Sequence, residues 1–214
     1  MADRKYRKTG KYYQCFNELV FESVPRGGCC LDIGCSTGNL GRALTREKKC
    51  VIDGVDRDSY ALKLAAKAGY RKTYLIDLNN EKISEKIKSK YDCIILADIL
   101  EHLISPAKTL REASNLLKKD GLIIISLPNV AFIQNRFNLL FGKFEYRDEG
   151  GLMDSNHLRF FTKKEIYKLC KSTGFKKVEI EGYAQVKNRF FFLRILAKIW
   201  PSLFAIQYLV KLKK

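Results

Sequence analysis

The sequence predicts an α/β fold, a mostly parallel sheet with helices on both faces, and three observations carry that prediction. Apolar runs that read as strands, near 29–33, 50–55, 91–96 and 122–127, alternate with segments of helical period. That alternation is the pattern of parallel strands joined by right-handed crossovers. The first run ends in an acid and a glycine turn, Leu31-Asp32-Ile33-Gly34-Cys35-Ser36-Thr37-Gly38, followed by a helical pattern at Leu40, Ala43 and Leu44. Two later runs end in acids, Asp56 and Asp77, at the edge where such sheets bind ligands.

The turn narrows the ligand. Gly34 and Gly38 let the backbone turn sharply and approach a ligand closely. The helix start beyond Gly38 offers N–H groups to an anion. A triphosphate loop needs Lys after its second glycine, and none is present. A dinucleotide loop needs a glycine where Ser36 stands. An acid just before the first glycine repels pyrophosphate and suits a ligand with positive charge. S-adenosylmethionine is such a ligand, carrying a sulfonium, an ammonium and one carboxylate.

On the turn Leu31–Gly38 the chain resembles the class I S-adenosylmethionine-dependent methyltransferases, although that family often has glycine at the position of Ser36. The resemblance implies a single Rossmann-like domain over residues 1–214, with seven strands, the last antiparallel and lying between the fifth and sixth. It also implies a cofactor site of Asp32, Gly34, Cys35, Ser36, Gly38, Asp56, Asp77, Leu78 and Ala97. Asp56, 18 residues beyond Gly38, suits the ribose hydroxyls, whereas Asp53 lies inside the strand pattern and should point elsewhere. Asp77 and Leu78 would flank the adenine; Asp77 as the cap of a helix starting near Asn79 is the competing expectation.

The remaining chain is read in order. Residues 1–27 are read as an N-terminal helix and cap, with an amphipathic stretch over 11–22; the resemblance implies that it covers the cofactor, with packing favoured over cofactor contact for Tyr6 and Tyr13. Helices are expected over 58–68, 106–118, 163–173 and 188–199, and strands over 72–76, 177–184 and 203–212. Ser105 should cap the second of these helices. Thr162 with Glu165 reads as a capping box for the third. The segment 130–161 is too long for a plain connection and is read as a substrate lid.

Leu100-Glu101-His102 resembles a segment of small-molecule methyltransferases, including ubiquinone-biosynthesis O-methyltransferases, and Asn156-His157-Leu158-Arg159-Phe160-Phe161-Thr162 resembles an element of one family branch. His102 and His157 are the only histidines and the candidate general bases, for O-methylation of a small molecule or a lipid-linked or glycan precursor. Asp98, Glu101 and His102 would share one helical face and could hold a cation, but no further ligand is visible, so no metal is assigned. Leu127-Pro128-Asn129-Val130 stands where amino-methyltransferases carry Asn/Asp-Pro-Pro-Tyr, which argues against a nucleobase amine as acceptor.

Composition bounds the partners. Of 214 residues, 46% are apolar and the net charge is +17, which favours anionic partners. An RNA methyltransferase and a non-catalytic S-adenosylmethionine-binding protein are therefore the alternatives. The seven cysteines show no metal-binding spacing, and no signal peptide is evident in the basic start, so a reducing cytoplasm is expected. Residues 187–214 mix aromatics with Lys and Arg. They read as a core helix and strand, or as a peripheral contact with an anionic inner-membrane surface. The oligomeric state is not legible.

Overall fold

A computed structural model describes residues 16–148, 150–184 and 191–213. Among them are seven strands: β1 (Cys29–Ile33), β2 (Val51–Asp56), β3 (Lys72–Leu75), β4 (Tyr91–Ala97), β5 (Leu117–Pro128), β6 (Lys177–Tyr183) and β7 (Gln207–Lys213). They form one sheet in the order β3-β2-β1-β4-β5-β7-β6. β1 to β5 pair in parallel, and β7 runs antiparallel to both β5 and β6, as expected.

Nine α-helical segments are described with the sheet: α1 (Glu18–Ser23), α2 (Asn39–Lys48), α3 (Ser59–Lys67), α4 (Ile83–Lys86), α5 (Pro106–Leu116), α6 (Ile133–Leu140), α7 (Lys163–Ser172), α8 (Phe191–Ile199) and α9 (Pro201–Phe204). Alternate side chains of each strand enter opposite cores. In β4, Cys93 and Ile95 pack with residues of α1, α2 and α3, while Ile94 and Leu96 pack with residues of α4, α5 and α7. A strand covered on both faces has no polar face, and so its sequence reads as an unbroken apolar run.

In β2 a buried charge interrupts the apolar run. Asp53 of β2 is wholly buried, and its carboxylate accepts Arg71 Nε and Nη2 at 2.8 and 2.7 Å and the Tyr91 hydroxyl at 2.8 Å. This network ties β2 to the starts of β3 and β4, at the end of the sheet opposite the glycine turn. Asp53 does point elsewhere.

Several boundaries differ from expectation, each for a local reason. β5 begins at Leu117, because Leu117 pairs with Tyr91 before the chain bulges at Asp120 (φ +64°) and resumes pairing at Leu122. β7 begins only at Gln207, because Pro201 starts the short helix α9. α5 stops at Leu116; at its start the Ser105 carbonyl accepts Lys108 N and Thr109 N, but the Ser105 side chain does not cap the helix. Thr162 Oγ1 does accept Glu165 N, at 3.3 Å, but the Glu165 carboxylate turns outward to Lys168, leaving half a capping box. Residues 1–15 of the expected N-terminal cap, with Tyr6 and Tyr13, lie outside the described residues, as does the start of the helix expected from 188; the rest of the amphipathic stretch contributes to α1. α8 buries Ala197 while exposing Phe192, Ile195 and Ile199, and Trp200 just after it is exposed too. No described helix is long and apolar enough to cross a membrane.

Candidate active site

The glycine turn leaves β1 and enters α2 under strict backbone demands. Gly34, Ser36 and Gly38 all have left-handed φ, +83°, +48° and +82°. Ser36 thus occupies a conformation that glycine adopts at less cost, which explains why the related loops favour glycine there. A Cβ on Gly34 would lie 2.8 Å from Ile99, and one on Gly38 would lie 2.8 Å from the Ala65 backbone. No side chain caps α2, whose N-cap is Gly38 itself. The loop is therefore a bare backbone cradle facing a helix start, and it fits the carboxylate end of an amino-acid ligand.

Asp56 meets this loop directly. Its Oδ2 accepts Ser36 N at 2.8 Å, and its Oδ1 accepts Asp58 N at 2.9 Å. The remaining lone pairs of a carboxylate held in this way can accept two vicinal hydroxyls. Asp32 is placed differently. It is 2% exposed beneath the loop and accepts the Tyr70 hydroxyl at 2.6 Å. Burial pushes its carboxyl up to about 6, against the Tyr70 hydrogen bond that holds it down. Cys35 is buried against Gly54 and Tyr70, and its thiol is pushed well up by burial.

Asp77 caps a turn, accepting Asn79 N at 3.0 Å and Asn80 Nδ2 at 2.7 Å, and the helix expected near Asn79 begins only at Ile83. Leu78 is buried beside it. Ala97 ends β4, which pairs with β1. Along the carboxyl edge the order is thus Asp77, Asp56, the glycine turn and Ala97, one from each successive strand.

The two histidines meet beyond Ala97. The chain turns at Asp98 (φ +50°) into a single 3-10 turn, Leu100–His102. The segment 130–161 leaves and returns at one point, where Asn129 bridges Phe161, and so brings His157 back to this turn. Leu158 N and Arg159 N donate to the Glu101 carbonyl at 2.8 and 3.0 Å, and Arg159 Nη2 donates to Ile104 O at 2.7 Å. The imidazole rings lie 4.8 Å apart, edge to face. His102 Nδ1 faces Asn156 O at 3.0 Å and His157 Nδ1 faces Leu152 O at 3.2 Å. A carbonyl can only accept, so each Nδ1 that bonds one donates, and a neutral ring of this tautomer keeps its lone pair on Nε2.

A cavity of about 330 Å³ opens here, lined by both histidines with Asp98, Glu101, Asp154 and Tyr183 among others. Glu101, His102 and His157 bring one ligand atom each within 4.8 Å of one another. This corrects the trio read from spacing. Asp98 precedes the 3-10 turn with left-handed backbone, which breaks the assumed helical spacing, and its carboxylate turns instead to Ser126 and Gln207. The donor missing from the sequence reading was His157. Tyr183 and Gln207 were also missed, since they meet only through the register of β6 with β7, which no local motif encodes. Asn129 is fully buried, and its side chain bonds the backbone at Ala131 and Ala205.

The sheet order and the acid-preceded glycine turn are those of a class I S-adenosylmethionine-dependent methyltransferase, and the family comparison agrees. The chain belongs to the methyltransferase domain family, which matches residues 5–180. A ubiquinone biosynthesis O-methyltransferase from Neisseria meningitidis is 26% identical over 140 residues, covering 60% of this chain and 59% of that protein. Its counterpart from Glaesserella parasuis is 25% identical over 162 residues, covering 72% and 67%. The chain therefore matches less than two thirds of the Neisseria protein's length. The fold is shared with an S-adenosylmethionine-dependent methyltransferase from Archaeoglobus fulgidus, with a TM-score of 0.64, 18% identity, and 92% of this chain and 90% of that chain covered.

Proposed function

We propose that this protein transfers a methyl group from S-adenosylmethionine to a hydroxyl of a small molecule held in the cavity between β4, β5 and segment 130–161. The observation that carries the reading is the His102–His157 pair, whose basic nitrogens belong to a cavity wall adjoining the cofactor edge. The relatives named as O-methyltransferases support oxygen as the acceptor atom.

When bound, the cofactor supplies an activated methyl group. What remains for the protein is to align the acceptor oxygen and take its proton. The glycine turn and Asp56 hold the donor end, with Asp77 and Leu78 at the adenine and Asp32 acting from beneath the loop. His102 Nε2 accepts the acceptor proton, and His157 beside it positions the acceptor hydroxyl. Segment 130–161 covers the acceptor and excludes water. Three carboxyl groups, Asp98, Glu101 and Asp154, line this cavity. They disfavour a phosphate backbone there, which weighs against RNA despite the +17 net charge.

The test is His102→Gln with labelled donor and cell extract. Removing a general base is expected to slow transfer by about 100-fold or more. Binding of S-adenosylhomocysteine should stay within about twofold, and wild-type transfer should survive EDTA, since an imidazole base needs no metal. Full activity in the variant, or complete loss of wild-type activity in EDTA, would overturn the imidazole assignment.

A further inference from the structure

We infer that Asp98 is the counter-charge for the sulfonium of S-adenosylmethionine, so that the protein distinguishes the charged donor from its neutral product. The inference starts from the backbone. Asp98 sits between two residues that adjoin the glycine turn: Ala97 ends the strand paired with β1, and the Ile99 side chain packs over Gly34. Its own side chain faces away from that turn and lines the acceptor cavity. Asp98 therefore stands on the boundary between the donor cradle and the acceptor space. An in-line transfer needs the departing methyl group, and the charged sulfur that carries it, at that boundary.

The carboxylate is held in place by a chain of neutral groups. Ser126 Oγ donates to Asp98 Oδ1 at 2.9 Å, and Gln207 Nε2 donates to the same oxygen at 3.1 Å. The amide of Gln207 is oriented by the Tyr183 hydroxyl, which donates to Gln207 Oε1 at 2.6 Å and accepts Asn17 Nδ2 at 2.6 Å. Ser126 and Gln207 favour an acceptor-only, ionised Asp98, against the burial that pushes its carboxyl up. Among the described residues lining the cavity none is Lys or Arg, in a chain with 40 of them. The wall has no full positive charge other than what a protonated histidine could lend, and the sulfonium supplies one. The left-handed backbone of Asp98 (φ +50°) is a conformation that a non-glycine residue adopts at a cost, and it turns the carboxylate to this position.

A sulfonium within reach of a desolvated carboxylate gains attraction that a thioether does not. Three probes separate that attraction from ordinary binding: S-adenosylmethionine, neutral-sulfur S-adenosylhomocysteine, and sinefungin, which carries a protonated amine near the sulfur position. All three share the methionyl ammonium and carboxylate. Calorimetry with Asp98→Asn is expected to show S-adenosylmethionine and sinefungin weakened about tenfold. S-adenosylhomocysteine should change by no more than about twofold. Asp98→Gly removes the same charge while suiting the left-handed backbone, and should give the same split if the asparagine variant folds poorly. Equal weakening of all three ligands would assign Asp98 to the ammonium or to loop structure and overturn the inference. Unchanged affinity for all three would do the same. None of these readouts uses the acceptor, so they stand whether or not the hydroxyl acceptor proposed above is correct.

Discussion

Replacing Arg71 with methionine is expected to lower the stability of the fold by about 2–3 kcal/mol. The reason is what the substitution leaves behind. Asp53 is wholly buried in β2, and Arg71 gives it two of its three hydrogen bonds. Without the guanidinium, only the Tyr91 hydroxyl faces a buried carboxylate. A fully buried pair would cost about 3–5 kcal/mol when broken, but the Arg71 side chain is 42% exposed, so water screens part of the interaction. Arg71→Lys keeps the charge and loses the fork, and should cost about 1 kcal/mol. Urea melts of the three proteins measure these differences. An Arg71→Met protein as stable as wild type would mean that the network only fills space. Because the pair lies at the opposite end of the sheet from the glycine turn, cofactor affinity in folded protein should not change.

The second large effect is expected at Asp56. Asp56→Ala should weaken cofactor binding by about 2–3 kcal/mol, roughly 30- to 150-fold. Two losses combine. The carboxylate that would take the ribose hydroxyls disappears, and so does the acceptor for Ser36 N inside the glycine turn. Ser36 is already in a left-handed conformation, so losing that anchor loosens the loop where it is least comfortable. Asp56→Asn keeps an oxygen for one amide and should show an intermediate loss. Calorimetry with S-adenosylhomocysteine reads both, and unchanged affinity in Asp56→Ala would move the ribose elsewhere.

The sheet was legible because its signals are local: the apolar runs, the acids near their ends and the glycines after the first follow one another in the chain. The buried position of Asp32 was not legible, because it depends on Tyr70 arriving from the far end of α3. The acceptor side was legible only in parts. His102 and His157 could each be picked out as imidazoles in edge segments, but their meeting depends on a return of the chain at Asn129 and Phe161. The Asp98–Glu101–His102 trio failed for a geometric reason, since helical spacing was assumed where one left-handed residue and a 3-10 turn intervene. The Asn17–Tyr183–Gln207–Asp98 chain draws on α1's cap and three strands, and no spacing in sequence announces it.

The proposed function reduces to one statement, that the S-adenosylmethionine edge serves a cavity for a hydroxylated small molecule. The most direct measurement follows labelled methyl from S-adenosylmethionine into cell extract and then separates organic-soluble small molecules from RNA and protein. The account predicts label in the small-molecule fraction, in a bond that resists mild base as a methyl ether does. Label in RNA or protein, or cofactor binding with no transfer to any fraction, would contradict it.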